Sequence, residues 1–333
     1  MPILTIAIPT YNSSKYLKET LEKTIIQCGK NNEIEILVSD NCSTDDTEAV
    51  VKDFINKGIN IRYLKNSQNV GPDKNVINCI NNANGDFVHT LCDDDYYTDD
   101  AVDRILRVIK NNQDLDLILL SNNYLNVATD KIIGNIGQEK DKIAIGAEEF
   151  VKNSELKELC LTNCIFKTEK FKKCNIEKYE GKQWPHIGML VSALDKNFKT
   201  YIFSFANPVV TIRFGNQRWA TEGGAIGYFY NVIKIYKDLC KKGYQNEYFI
   251  IKNLFISKII NPLTMKYDSS MLNLKYALLF LPIYSWQIRE YFKFVKALVF
   301  TKRQAFSGGG VAKWLHYCQY VYRHITERIY CLT

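Results

Sequence analysis

Asp86-Phe87-Val88-His89-Thr90-Leu91-Cys92-Asp93-Asp94-Asp95 is a short, mostly apolar, strand-forming run that ends in three adjacent carboxylates. Strands of a parallel sheet are buried on both faces, so they read as continuous apolar runs, and their ligands gather beyond the carboxyl ends. Upstream, Leu4-Thr5-Ile6-Ala7-Ile8-Pro9, Glu35 to Ser39 and Asn60 to Leu64 have the same character. Between them, Tyr16 to Cys28 carries Leu17, Leu21 and Ile25 at helical spacing, after cap candidates Asn12-Ser13-Ser14. Ser43-Thr44-Asp45-Asp46 caps a second helix to about Asn56, and Asp73 to Asn82 forms a third. Downstream, a helix from about Asp99 to Asn111 precedes the strand Leu115 to Leu120. This alternation predicts an α/β fold with a mixed, mostly parallel sheet and helices on both faces. Polar residues collect at the strand ends: Thr10-Tyr11-Asn12, Asp40-Asn41 and Asp93 to Asp95.

Adjacent carboxylates repel unless a cation or hydrogen bonds offset the charge. On extended backbone the side chains of Asp93 and Asp95 point the same way, so they could share one divalent ion. Oxygen ligands suit Mg²⁺ or Mn²⁺, which would also bind a diphosphate. The competing reading is a solvated acidic loop capping the next helix. An EF-hand is excluded, because no Gly or Glu stands at the required offsets.

Ile6-Ala7-Ile8-Pro9-Thr10-Tyr11-Asn12, Val38 to Thr47, Asn69-Val70-Gly71 and Asp93-Asp94-Asp95 resemble, in order and spacing, the family-2 glycosyltransferases. The resemblance covers roughly residues 3–120. It implies a nucleotide-sugar-binding fold of the A type and an inverting, metal-dependent transfer. Carried over, Pro9, Thr10 and Tyr11 would border the base, with Asn12 beside them, and Asp40 would hydrogen-bond base or ribose. Asp93 and Asp95 would hold ribose and the metal–diphosphate, with Asp94 between them. Asn69 and Gly71 belong to the same donor set. Lys74, near the place of an Arg-Asn pair in relatives, would meet phosphate or base. Asp40 and Ser43 as simple helix caps, and Lys74 as an exposed helix lysine, are the plain alternatives.

An inverting transfer needs a base to take the acceptor hydroxyl proton. Relatives place an acid at the start of a helix where this chain has Gln183-Trp184-Pro185-His186-Ile187. His186 is the first candidate, since an unperturbed imidazole pKa of about 6.5 suits the task. Glu180 is its rival and Asp195 a third. Trp184 offers a sugar a flat face, or is core. Arg213, opening Arg213-Phe214-Gly215-Asn216-Gln217-Arg218-Trp219, could close over the diphosphate. Gln217-Arg218-Trp219 lacks the spacer of the processive-synthase signature, so a processive synthase is rejected.

Across 333 residues the composition is 46% hydrophobic and 24% charged, which excludes a disordered or fibrous chain. Of 43 basic residues 16 lie in 234–333 beside 5 acidic ones, so the front is acidic and the back basic. Trp286 to Tyr330 interleaves aromatics with Arg and Lys. Such helices suit an anionic membrane surface; inward packing of the aromatics is the equal alternative, and no nucleic-acid motif accompanies them. No apolar run reaches the roughly 18 residues of a membrane span. The 10 cysteines are scattered without a C-x-x-C pair, and no basic leader precedes the first strand, so reduced thiols in the cytoplasm are expected.

The expected organisation is a glycosyltransferase domain at 1–220 (nucleotide half 1–120, acceptor half 121–220) and a helical basic extension at 221–333. The expected activity is transfer of a single sugar from a nucleotide-diphosphate sugar to a glycan acceptor. That acceptor would be a lipid-linked surface polysaccharide at the cytoplasmic face of the inner membrane. A nucleotidyltransferase would want a Gly-rich phosphate loop near the start, and none is present. A nucleotide-sugar-binding or membrane-adaptor protein with a dead site is the non-enzyme alternative.

Overall fold

The computed structural model describes residues 1–28, 31–136, 139–174, 177–182, 184–214 and 231–255. Gln183, the loop Gly215 to Trp219 and the basic aromatic stretch Trp286 to Tyr330 lie outside the described residues. The chain divides into two compact units, Met1–Gln217 with Ile235–Glu247, and Arg218–Lys234 with Tyr248–Thr333. The described residues of the second unit, 231–234 and 248–255, are helical.

In the first unit, β1 (Leu4–Thr10), α1 (Ser14–Cys28), β2 (Ile34–Asp40), α2 (Thr47–Asn56), β3 (Ile61–Lys65), α3 (Pro72–Asn82) and β4 (Phe87–Thr90) alternate as the sequence predicts. Then follow β5 (Tyr96–Tyr97), α4 (Ala101–Asn111), β6 (Leu117–Leu119), β7 (Asn122–Asn126), β8 (Lys131–Ile136), β9 (Lys142–Ile145) and α5 (Gly146–Ser154). After these come β10 (Cys164–Lys167), α6 (Thr168–Lys172), α7 (Pro185–Ala193), β11 (Lys199–Ile202) and β12 (Val210–Phe214). The main sheet has the order β3-β2-β1-β4-β10-β6-β11-β9. Its strands are parallel except β10 and β9, which run against their neighbours. A smaller sheet, β5-β12-β7-β8, contains the β7–β8 hairpin.

β1 is buried on both faces, as its unbroken apolar run requires. Leu4, Ile6 and Ile8 pack with Leu17 and Leu21 of α1, Val51 and Phe54 of α2 and Ile105 of α4. α3 packs on β1, β2 and β4 and also meets α6 and α7. Each fully buried aliphatic side chain contributes roughly 1.5–3 kcal/mol. Gly85, entering β4, is needed for close approach: a Cβ there would lie 2.5 Å from the Thr5 nitrogen.

One strand is shorter than its apolar run. Leu161 to Phe166 reads as a single strand, but Leu161–Asn163 forms a 3-10 turn and β10 starts at Cys164. Thr162 and Asn163 point their polar groups at Asp95 and at Asn122 and the Lys157 carbonyl, which draws that turn out of the ladder.

Candidate active site

β1 and β2 are in parallel register to their last residues, Thr10 opposite Asp40, so the turns that follow lie side by side. Asn12 adopts a left-handed φ of 48° and joins these turns. Its N–H donates to Ser43 Oγ at 2.9 Å, and its Oδ1 accepts the Thr44 N–H at 2.8 Å. Asp45 serves both helices, accepting from Ser14 N–H at 3.0 Å and from Thr47 N–H at 3.0 Å. Pro9 is half-buried, Thr10 buried, and Tyr11 is 42% exposed.

Asp40 differs from its expected place against a ligand. It is fully buried; Oδ1 accepts the Ser43 N–H and Oδ2 the Tyr63 hydroxyl. The carboxylate holds the floor of the site together. Its neighbour Asn41 accepts the Val70 N–H at 2.9 Å and donates to Asn69 Oδ1 at 2.8 Å. Asn69 in turn accepts the Gly71 N–H, where φ is +86°. Asn75 of α3 completes the floor: its amide donates to the Ser39 carbonyl at 2.9 Å and its Oδ1 accepts the Ser39 hydroxyl at 2.7 Å.

The acid triplet is a turn, closed by Asp95 N–H to the Cys92 carbonyl at 3.1 Å. The extended-strand argument pairing Asp93 with Asp95 therefore does not hold. Asp93 Oδ2 accepts the Thr10 hydroxyl at 2.7 Å. Instead, carboxylate oxygens of Asp94 and Asp95 and the Cys92 sulfur lie within 4.8 Å of one another. Asp95 is buried, and both its oxygens accept hydrogen bonds, from the Thr162 hydroxyl and, at 3.0 Å, the Arg213 N–H. Burial, and then the Asp94 charge, hold its carboxyl well above the usual range. Burial also pushes the Cys92 thiol up, so it stays protonated and is no anionic ligand. A hard divalent cation fits this set: it would relieve the repulsion and take oxygens from Asp94 and Asp95, each carboxylate having lone pairs to spare. The sequence missed Thr20, whose hydroxyl proton is shared between the carbonyls of Asp93 at 3.0 Å and Asp95 at 2.9 Å.

Arg213 supports the triplet from below. Its side chain is 6% exposed, lies 5.4 Å from the Tyr16 and 5.0 Å from the Tyr96 ring centroid, pairs with Glu19 and donates to the Asp94 carbonyl. A guanidinium so enclosed cannot reach over a diphosphate; it braces the turn. Lys74 stands in the first turn of α3 and pairs with Glu180 at 2.9 Å, both half exposed. Two candidates more than a hundred residues apart thus meet beside the Asn69–Gly71 turn.

His186 lies inside α7, 5% exposed, with its ring 5.8 Å from that of Trp184. Burial lowers its pKa to about 4, against the pull of the Glu158 and Leu159 backbone groups, and its Nε2 has no hydrogen-bond partner among the described residues. The ring is neutral at pH 7, but with only 5% of the residue exposed it offers little surface to an acceptor hydroxyl. The expectation that His186 is the leading base is corrected on that ground. Asp195 sits beyond the end of α7, near Lys170 at 3.9 Å.

The family described as "Glycosyl transferase family 2" matches residues 5–174, about half of the chain. The abequosyltransferase RfbV of Salmonella typhimurium is 27% identical over 239 residues, 67% of this chain and 70% of that protein. A Campylobacter jejuni protein, GalNAc(5)-diNAcBac-PP-undecaprenol beta-1,3-glucosyltransferase, is 33% identical over 108 residues, 32% of this chain and 34% of its own length. Among solved structures, residues 1–349 of Staphylococcus aureus TarS superpose with a TM-score of 0.62 at 17% identity, covering 93% of both chains. That likeness shows the fold; the same TarS segment was also solved with UDP-GlcNAc.

Proposed function

The chain belongs to glycosyl transferase family 2, and from that premise we propose that it is an inverting, metal-dependent transferase acting at the acid triplet. The donor is a nucleotide-diphosphate sugar, and the acceptor a glycan, lipid-linked and destined for a surface polysaccharide. The observation that carries this reading is the convergence of the β1, β2 and β4 carboxyl ends on one acidic turn, with Thr10 bonded to Asp93. The acceptor class is supported by the Campylobacter jejuni relative, whose name carries an undecaprenol-linked glycan. The catalytic domain is taken as 1–220, and the basic stretch 221–333 as the part that meets an anionic membrane.

Pro9, Thr10, Tyr11 and Asn12 line the donor side, with Asn69 and Gly71 at its rim. Asp94 and Asp95 would hold Mn²⁺ or Mg²⁺, which when bound would offset the charge of the diphosphate leaving group. Asp93, whose Oδ2 accepts the Thr10 hydroxyl, takes the ribose in this reading. The chain's own contribution is to fix these carboxylates before the donor arrives, so that little reorganisation remains in the transition state. Glu180 is the base: it is exposed, and Lys74 holds it beside the site. As the acceptor oxygen attacks the anomeric carbon from the face opposite the leaving diphosphate, Glu180 takes the hydroxyl proton.

Incubation with UDP-, GDP-, dTDP- and CDP-sugars plus Mn²⁺ tests the function, and one nucleotide class is expected to be released. Glu180→Gln is expected to slow transfer by two orders of magnitude or more with donor KM little changed. His186→Ala, if folded, retains turnover; the reverse ranking would return the base to His186. A binding module without turnover is favoured by one feature, the missing acid at the start of α7, and sugar binding without release from any donor would support it.

A further inference from the structure

Thr162 was singled out by no motif, is fully buried, and touches the acid turn at both ends. Its hydroxyl donates to Asp95 Oδ2 and accepts the Cys92 N–H at 3.2 Å. A hydroxyl has one proton and two lone pairs, so this one oxygen is a two-way bridge between the first and last residues of the turn. Its backbone is fixed as well: the Thr162 carbonyl accepts from His89 Nε2 at 2.7 Å, and His89 Nδ1 bonds the Tyr97 hydroxyl. Tyr97 and His89 are fully or nearly fully buried, so the chain Tyr97–His89–Thr162–Asp95 runs through dry interior.

We propose that Thr162 is a positioning residue for the cation-binding carboxylates. It fixes the rotamer of Asp95 and the path of the Cys92–Asp95 turn, so that Asp94 and Asp95 present their oxygens together. The proposal rests on the reading of that turn as the metal–diphosphate site, and it assigns a function to the 3-10 turn that precedes β10. Three elements then clamp one turn: Thr20 from α1 on its carbonyls, Arg213 from β12 on Asp95 Oδ1, and Thr162 on Asp95 Oδ2. Of the three, Thr162 alone binds both a carboxylate oxygen and the start of the turn through one side-chain atom.

The test compares wild type, Thr162→Val, which keeps shape and removes the hydroxyl, and Thr162→Ser, which keeps the hydroxyl. Mn²⁺ alone is titrated into the full chain and followed by loss of the free-ion EPR signal. The melting temperature and donor KM are measured alongside. Outer partners of metal ligands typically carry 10–100-fold in metal affinity, and a loss in that range is expected for Thr162→Val, with Thr162→Ser close to wild type. Donor KM at saturating Mn²⁺ should move much less than the Mn²⁺ affinity. Equal Mn²⁺ affinity in wild type and Thr162→Val overturns the assignment, and so does a loss in Thr162→Ser as large as in Thr162→Val, which would mark a packing role. If Thr162→Val does not fold, Thr162→Cys, a weaker donor of similar size, carries the same expectation and the same refutation. A wild type that takes up no Mn²⁺ overturns the site reading itself, and the assignment with it, a result distinct from equal binding by wild type and variant.

Discussion

His89 and His186 are the two imidazoles that the first unit buries, and for both burial lowers the pKa to about 4. An unfolded histidine titrates near 6.5. A depressed folded pKa means that the neutral ring is the one the fold accepts. Their contribution to stability is therefore complete above about pH 6.5 and lost as pH falls towards 4. Asp95 and Glu158 oppose this trend, because burial raises their pKa values and the fold favours their protonated forms. The histidines are best read directly: NMR resonances of both rings should stay at neutral-form shifts from pH 7.5 down to about 5. A midpoint near 6.5 for His186 would mean that its ring reaches solvent, and would restore it as a candidate base.

At the scale of elements, α7 is held close to its neighbours by a missing side chain. A Cβ on Gly188 would lie 2.2 Å from the Tyr179 ring, and Tyr179 is pinned by its hydroxyl to Asp238 at 3.0 Å. Gly188→Ala is expected to cost at least the 1–3 kcal/mol of an overpacked core, read as a lower urea midpoint at unchanged m-value; a neutral substitution would show that α7 can slide. The first four strands and three helices were legible because burial on two faces leaves continuous apolar runs, and helices leave the Leu17-Leu21-Ile25 rhythm. The break at Leu161–Asn163 was not legible. Its apolar content resembles a strand, and what ends pairing there is a hydrogen bond to Asp95, 67 residues away in sequence. The triplet itself was legible as an acidic cluster but not as geometry: the turn that brings Asp94 and Asp95 together depends on Thr20, Thr162 and Arg213. Arg213 was misread for a related reason, since a basic residue near the end of a strand looks alike whether it faces phosphate or two tyrosine rings.

For the whole molecule the uneven charge matters most. Residues 234–333 hold 16 of the 43 basic side chains, while among the described residues no helix is long and apolar enough to cross a membrane. Each Lys or Arg near an anionic bilayer contributes about 1 kcal/mol, and salt screens it. The full chain is expected to float with phosphatidylglycerol vesicles at low salt, to release in 0.5 M NaCl (roughly a 4–5 Å screening length), and to ignore phosphatidylcholine vesicles. Failure to float with anionic vesicles would assign the aromatic and basic residues to inward packing. The central claim, however, is that one cation and one sugar diphosphate meet at the acidic turn. Its most direct test is the melting temperature of wild type and Asp94→Asn against the four nucleotide-sugar classes, with and without Mn²⁺. The account predicts a shift for one class that needs Mn²⁺ and is lost in Asp94→Asn; no shift with any donor, or the same shift in the variant, would contradict it.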